Sequence, residues 1–174
     1  TYRVMLNEGS TAQPWCPPGI HGVEDLTLVT SGKNLLQPVS GMDEYDLSGV
    51  QVTRENNTFS FHGTATKPGG RTIYFSKALL SQGKYTFGKF DAAPNVMVHL
   101  SEVSTGTNLY NTTGQTVFEL TEAKEVGLGF NLVQGETSDY DGIRIQLERG
   151  EARTDYEPAS VTQTPIDLQG HSLH

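Results

Sequence analysis

Along most of this chain apolar residues occupy every second position, a period that few folds can use. Val50 and Val52 alternate with polar neighbours, Phe59 and Phe61 with Ser60 and His62, and Ile73 and Phe75 with Thr72, Tyr74 and Ser76. The pattern continues through Tyr85 and Phe87, Val96, Val98 and Leu100, then Phe118 and Leu120. It closes with Val126, Leu128, Phe130 and Leu132, followed by Ile143, Ile145 and Leu147. Side chains on an extended strand point to opposite faces in turn, so each run puts one face in a core and the other in water. Arg54-Glu55-Asn56-Asn57-Thr58 reads as a hairpin turn and Pro68-Gly69-Gly70 as another reversal. Lys77-Ala78-Leu79-Leu80 is the nearest approach to a helix, and it is one turn at most. Hydrophobic residues make up only 35% of the chain and glycine is frequent (19), which suits a thin two-layer β structure. The expected fold class is all-β, an antiparallel sandwich.

One phrase occurs twice. Arg3-Val4-Met5-Leu6-Asn7-Glu8-Gly9 leads to Trp15, and Arg144-Ile145-Gln146-Leu147-Glu148-Arg149-Gly150 leads to Tyr156, without a gap between the two alignments. A strand, a turn at glycine and a terminal aromatic make the closing stroke of a module. The repeat predicts that residues 1–30 hold the closing strand of a preceding module plus a linker. Residues 31–159 are then an intact module, and 160–174 a linker toward a following segment. Cys16-Pro17-Pro18-Gly19 is a rigid turn within the leader, and Ile166-Asp167-Leu168 loosely echoes Glu24-Asp25-Leu26. The start, Thr1-Tyr2-Arg3, has neither an initiator methionine nor a signal-peptide pattern, so a fragment of a longer chain is expected. An orphan strand over residues 3–9 should dock on a sheet edge or become disordered.

The net charge of −8 repels nucleic-acid phosphates, and no Lys/Arg stripe offsets it, so no nucleic-acid partner is expected. No apolar run is long enough for a spanning helix, so membrane insertion is not expected. A single cysteine, Cys16, allows neither an internal disulfide nor a cysteine zinc site.

Several phrases together resemble a known kind of module. Asn34-Leu35-Leu36 follows a Ser-Gly-Lys turn. Phe59-Ser60-Phe61-His62-Gly63-Thr64-Ala65 and Gly83-Lys84-Tyr85-Thr86-Phe87 come next, and Ile145-Gln146-Leu147-Glu148-Arg149-Gly150 leads to Tyr156-Glu157-Pro158. This resembles the jelly-roll modules of bacteriophage tail, baseplate and receptor-binding proteins, which are similar to carbohydrate-binding and galactose-binding-like domains. The resemblance covers residues 31–159 and, through the repeated phrase, 2–15. It implies a jelly-roll sandwich and a frequent role in recognising host-surface sugar. Its motifs mark strand ends and contain no binding residues.

The residues between the core positions share the outer faces. On the middle strands these are Tyr74, Met97, His99, Asn131, Arg144 and Gln146, the candidate ligand-binding set. Arg, Asn, Gln and His offer directional hydrogen bonds to hydroxyls, and Tyr offers a flat surface for the C–H face of a sugar. Any water-facing sheet is polar, so the same set also describes a face without a ligand. Two long polar segments, 104–111 and 134–141, are read as loops able to carry recognition, and Asp139 and Asp141 as too few ligands for Ca²⁺. No metal or cofactor is expected.

Catalysis is not expected either. The acids Glu55, Glu102, Glu122, Glu125, Glu136 and Asp155 sit in turns rather than as a facing pair. The five histidines lack HExxH spacing, and Gly127-Leu128-Gly129 reads as close sheet packing rather than a nucleotide loop. Trp15 and Tyr156 read as seals of their modules. The reading reached is a non-catalytic carbohydrate-binding module of a virion tail, acting outside the cell on host cell-surface polysaccharide. Its other partners would be phage tail or baseplate subunits, with a homo-oligomer left open. The alternatives are a structural spacer or oligomerisation module of a tail fibre, and an accessory module of a cell-wall hydrolase.

Overall fold

A computed structural model describes residues 27–68 and 73–165, the side chains of 27–31 and 161–165 excepted. The first copy of the repeated phrase, Trp15, Cys16, the expected docking of residues 3–9, part of the turn after Pro68 and the tail echo lie outside the described residues.

Every regular element described is a strand. In chain order they are β1 (Thr27–Ser31), β2 (Gln37–Pro38), β3 (Glu44–Leu47), β4 (Val50–Glu55), β5 (Thr58–Thr64), β6 (Ser76–Leu80) and β7 (Gly83–Lys89). Then come β8 (Val96–Glu102), β9 (Asn108–Thr112), β10 (Gln115–Leu120), β11 (Lys124–Leu132), β12 (Thr137–Arg149) and β13 (Val161–Pro165). A compact unit over Ser31–Val161 holds a sandwich, and β1 and β13 pair with each other in a separate two-stranded sheet. One layer of the sandwich has the order β10-β7-β12-β5-β4-β3 and the other β2-β6-β11-β8-β9. The ladders within both layers are antiparallel. The all-β sandwich read from the alternation is therefore the fold.

The alternating residues fill the space between the layers. Val50, Val52, Phe59, Phe61, Phe87, Ile145 and Leu147 come from the six-stranded side; Val96, Val98, Leu100, Val126, Leu128 and Phe130 come from the five-stranded side. All are fully buried. Phe59, Phe61 and Phe75 meet Phe130 at 4.9, 4.9 and 5.0 Å between ring centres, an aromatic centre shared by both sheets. The β3–β4 connection turns through Ser48 and Gly49, both at positive φ (60° and 91°), the signature of a tight hairpin whose twist matches its strands.

Two buried asparagines join the layers. Asn34 Nδ2 donates to the Ile145 carbonyl (2.9 Å), and its Oδ1 accepts from the N–H groups of Leu36 and Leu147 (3.3 Å each). The segment at Asn34 thus bonds directly to β12, more than a hundred residues further along the chain. Asn57 Nδ2 donates to the Leu36 carbonyl (2.6 Å), and its Oδ1 accepts from Ser76 Oγ (2.5 Å). Buried amides with all these bonds made rigidify a core, and the same groups left unpaired would be costly.

Three expectations are corrected. Lys77-Ala78-Leu79-Leu80, the nearest approach to a helical turn, lies in strand β6, with Ala78 and Leu80 turned inward opposite Val126 and Lys124. The polar segment 104–111 is not all loop, because β9 begins at Asn108 and Tyr110 stacks on Phe118 with centres 4.0 Å apart. Likewise β12 starts at Thr137, inside the second supposed loop, and pairs with β5 from there. In each case cross-strand packing overrides the local polarity or helical propensity.

Candidate functional site

The structure divides the six candidate residues between two opposite surfaces. Arg144 and Gln146 are on β12, in the six-stranded sheet; Met97 and His99 on β8 and Asn131 on β11 are in the five-stranded one, against which Tyr74, outside any strand, packs at Gly127. No single face holds the whole set.

On the six-stranded side a strap formed by residues 150–157 covers the outer surface. Gly150 reverses the chain at φ 126°, and the strap returns across β12 and β7. Glu148, nearly buried, accepts from the Thr154 N–H (2.8 Å) and Thr154 Oγ1 (2.7 Å). Gln146 Oε1 accepts from the Glu157 N–H (2.8 Å), and Thr86 Oγ1 donates to the Gly150 carbonyl (2.9 Å). Arg144 grips Asp91 with its backbone N–H (2.8 Å), Nε (3.0 Å) and Nη2 (2.7 Å). This fork holds the Asp91 carboxyl below its usual pKa, because the guanidinium stabilises the anion. Tyr156 packs edge-on against Phe90 (5.5 Å) and beside the Arg144 guanidinium (5.7 Å), with its hydroxyl 3.2 Å from Thr58 Oγ1. Arg144, Gln146 and Tyr156 all serve this closure.

On the five-stranded side, register places Met97 opposite Asn131, His99 opposite Gly129 and Ser101 opposite Gly127. The two glycines of β11 make a recess. A Cβ at Gly127 would lie 2.4 Å from the Tyr74 ring, and one at Gly129 would lie 2.5 Å from the His99 ring and 2.8 Å from the Ile73 carbonyl. The aromatic rings therefore sit flush against the sheet, which is the close packing expected of Gly127-Leu128-Gly129. Arg54 sets the approach of this segment: Nη1 donates to the Phe75 carbonyl, and Nη2 donates to the Val39 carbonyl (2.9 Å) and Asp43 Oδ1 (2.5 Å). Phe75, the next residue, turns into the core, leaving Tyr74 on the surface side.

Here Tyr74, Met97 and Asn131 are half-buried, while His99 and Ser101 are fully buried. Desolvation raises the Tyr74 phenol above its ordinary pKa, and its Oη and Ser101 Oγ are buried atoms with no hydrogen-bond partner among the described residues. The structure adds Ser101 and Asn111 to the face; Asn111, exposed, stands opposite His99 on β9. The expectation of a loop hid Asn111. The available signal was the alternation of Tyr110 and Thr112 with it.

A further group stands on the outer six-stranded surface, away from the strap contacts. His62 on β5 places Nδ1 2.9 Å from Asp139 Oδ1, its register partner on β12, and Nε2 3.1 Å from Asp141 Oδ1, within the register shift that follows Tyr140. The two aspartates weighed for Ca²⁺ thus face an imidazole. Among the described residues no cluster of three or more His, Cys, Asp or Glu side chains is arranged for a metal ion.

No protein-family model, no curated protein and no solved structure matches this chain.

Proposed function

We propose that the chain is a non-catalytic carbohydrate-binding module, of the jelly-roll kind carried by bacteriophage tail and baseplate proteins, recognising host cell-surface polysaccharide on its five-stranded face. One observation carries the reading. Gly127 recesses Tyr74 into the sheet surface, and the half-buried Met97 and Asn131 pair with each other four residues further along β11 on the same sheet. A sugar ring presents an apolar C–H face and an edge of hydroxyls. The Tyr74 phenol suits the first, and the Asn131 and Asn111 amides suit the second. Arg144 and Gln146 drop out of the binding set, because Asp91 and the strap use them.

The test is a glycan array and host cell-wall polysaccharide probed with the wild-type chain, Tyr74→Ala and Asn131→Ala. The expected result is specific binding that Tyr74→Ala abolishes and Asn131→Ala weakens by about tenfold, the effect of one or two lost hydrogen bonds. Unchanged binding by both variants removes this face. An obligate oligomer that binds no saccharide would favour the spacer of a tail fibre instead.

A further inference from the structure

A second recess lies at one end of the sandwich, where Tyr45, Asp46, Leu47 and Ser48 face Lys67, Pro68 and Ile73 across a cleft of about 480 Å³. Small-ligand pockets span roughly 300–1,000 Å³, so its size is that of a binding site. Its walls are tied together. Thr66 donates to the Ser48 carbonyl through both its N–H (2.8 Å) and its Oγ1 (2.9 Å), joining the segment before Lys67 to the β3–β4 turn. In that turn Asp46 Oδ1 accepts from the Gly49 N–H (2.8 Å), which fixes the carboxylate. The Tyr45 ring stands edge-on to Phe75 at 5.9 Å, which fixes the phenol. A cleft held open by bonds of its own spends little ordering free energy when a ligand enters.

We propose that this cleft is a second saccharide site, taking one neutral hexopyranoside unit with its C–H face on Tyr45 and Pro68. This inference rests on reading the chain as a saccharide-binding module, and it adds a site and a ligand class. The ligand class follows from the lining. Tyr45, Pro68 and Ile73 supply apolar surface, and Ser48, Asp46 and Lys67 supply a hydroxyl, an acceptor and a donor. One carboxylate and one ammonium cancel, so the site has no net charge with which to select an anionic sugar. Ile73 lines the cleft while its neighbour Tyr74 lies against Gly127 on the sheet, so adjacent residues serve the two sites.

The experiment is a titration of the labelled chain, followed by backbone amide NMR, with the methyl glycosides of glucose, galactose and N-acetylglucosamine and with methyl glucuronide as the anionic comparator. The expected result is movement of the amides of Tyr45–Ser48 and Lys67 with a neutral glycoside. Tyr45→Ala should weaken binding at these amides by about tenfold and the exposed Lys67→Ala by less, whereas Tyr74→Ala should leave it intact. The proposal is overturned if no neutral glycoside moves these amides, if only the glucuronide does, or if Tyr45→Ala and Lys67→Ala both leave the affinity unchanged. Movement confined to Met97 and Asn131 would remove the cleft and keep the sheet-face site. Silence at both groups would remove the saccharide reading as well.

Discussion

The two outer surfaces of this sandwich are built from the same alternating pattern and put to different uses. On the six-stranded side the outward side chains Thr86, Gln146 and Glu148 are buried because the chain folds back over them and bonds to each. On the five-stranded side two outward positions of β11 are glycines, Gly127 and Gly129, and the Tyr74 and His99 rings pack into the space they leave, Tyr74 half-buried and His99 fully buried. A polar residue at an outward position is therefore no sign of an open surface. What matters is whether the chain supplies its own cover.

The largest expected effect tests whether glycine means the same thing on both sides. A Cβ at Gly88 on β7 would lie 2.2 Å from the Gly114 carbonyl oxygen and 2.6 Å from Gln115 Cα, so backbone would have to move against backbone. At Gly127 the obstacle is the Tyr74 ring, a side chain rather than backbone. Gly88→Ala should cost about 3 kcal/mol or more, and Gly127→Ala about 1–2 kcal/mol, both read from chemical denaturation midpoints. Gly127→Ala should also abolish saccharide binding at the five-stranded face, which Gly88→Ala leaves alone at temperatures where it stays folded. Equal destabilisation by the two, or retained binding in Gly127→Ala, would break the contrast between the surfaces.

The next effect is smaller and belongs to the strap. Glu148→Ala removes the acceptor of the Thr154 N–H and hydroxyl, leaving an amide to find water, at a cost of about 1–2 kcal/mol. Amide exchange at Thr154 and Glu157 should accelerate selectively while ligand binding stays unchanged. Loss of saccharide binding in this variant would mean that the six-stranded surface has a recognition role after all.

How far the sequence foretells this arrangement depends on what each feature needs. Period two is local, and it placed Val50, Phe59, Val98, Leu128 and Ile145 in the core. That Asn34 would bond to Ile145 and Leu147 was not legible, since that contact spans more than a hundred residues. Alternation also says which residues leave the core without saying in which layer their strand lies. By alternation alone Arg144 and Gln146 look like Met97 and Asn131, though β12 and β11 belong to opposite sheets. Strand β9 was obscured because its outward residues are Asn and Thr, and only the stack of Tyr110 on Phe118 marks it as paired structure. The end cleft left no sequence trace, because its two walls meet through Thr66 and a carbonyl.

The smallest effect concerns pH at the uncovered corner of the six-stranded surface. His62 faces Asp139 and Asp141 from β12, and Gln51, its neighbour on β4, carries no charge. Only the imidazolium can donate from both ring nitrogens, so the pair of carboxylates raises the His62 pKa above its ordinary 6.5, with the hydrogen bond to Asp139 the larger cause. A raised pKa in the folded chain means that the stabilisation is complete below the unfolded value and fades as pH climbs through the folded one. Asp91 behaves in the opposite sense. Its carboxyl is held down by Arg144, so that contribution is present above the unfolded value of 3.8 and is lost as acid takes pH through the folded one. Imidazole resonances followed by NMR should titrate above 6.5 in the wild-type chain and return toward it in Asp139→Asn/Asp141→Asn, with a small loss of stability confined to pH below that window. Since both carboxylates are largely solvated, added salt should shrink the shift, whereas the Arg144–Asp91 fork, whose carboxylate is better enclosed, should resist it more. A His62 resonance indifferent to the double substitution would show that the uncovered corner is governed by solvent alone, and the sharpest electrostatic difference between the covered and open parts of this surface would disappear.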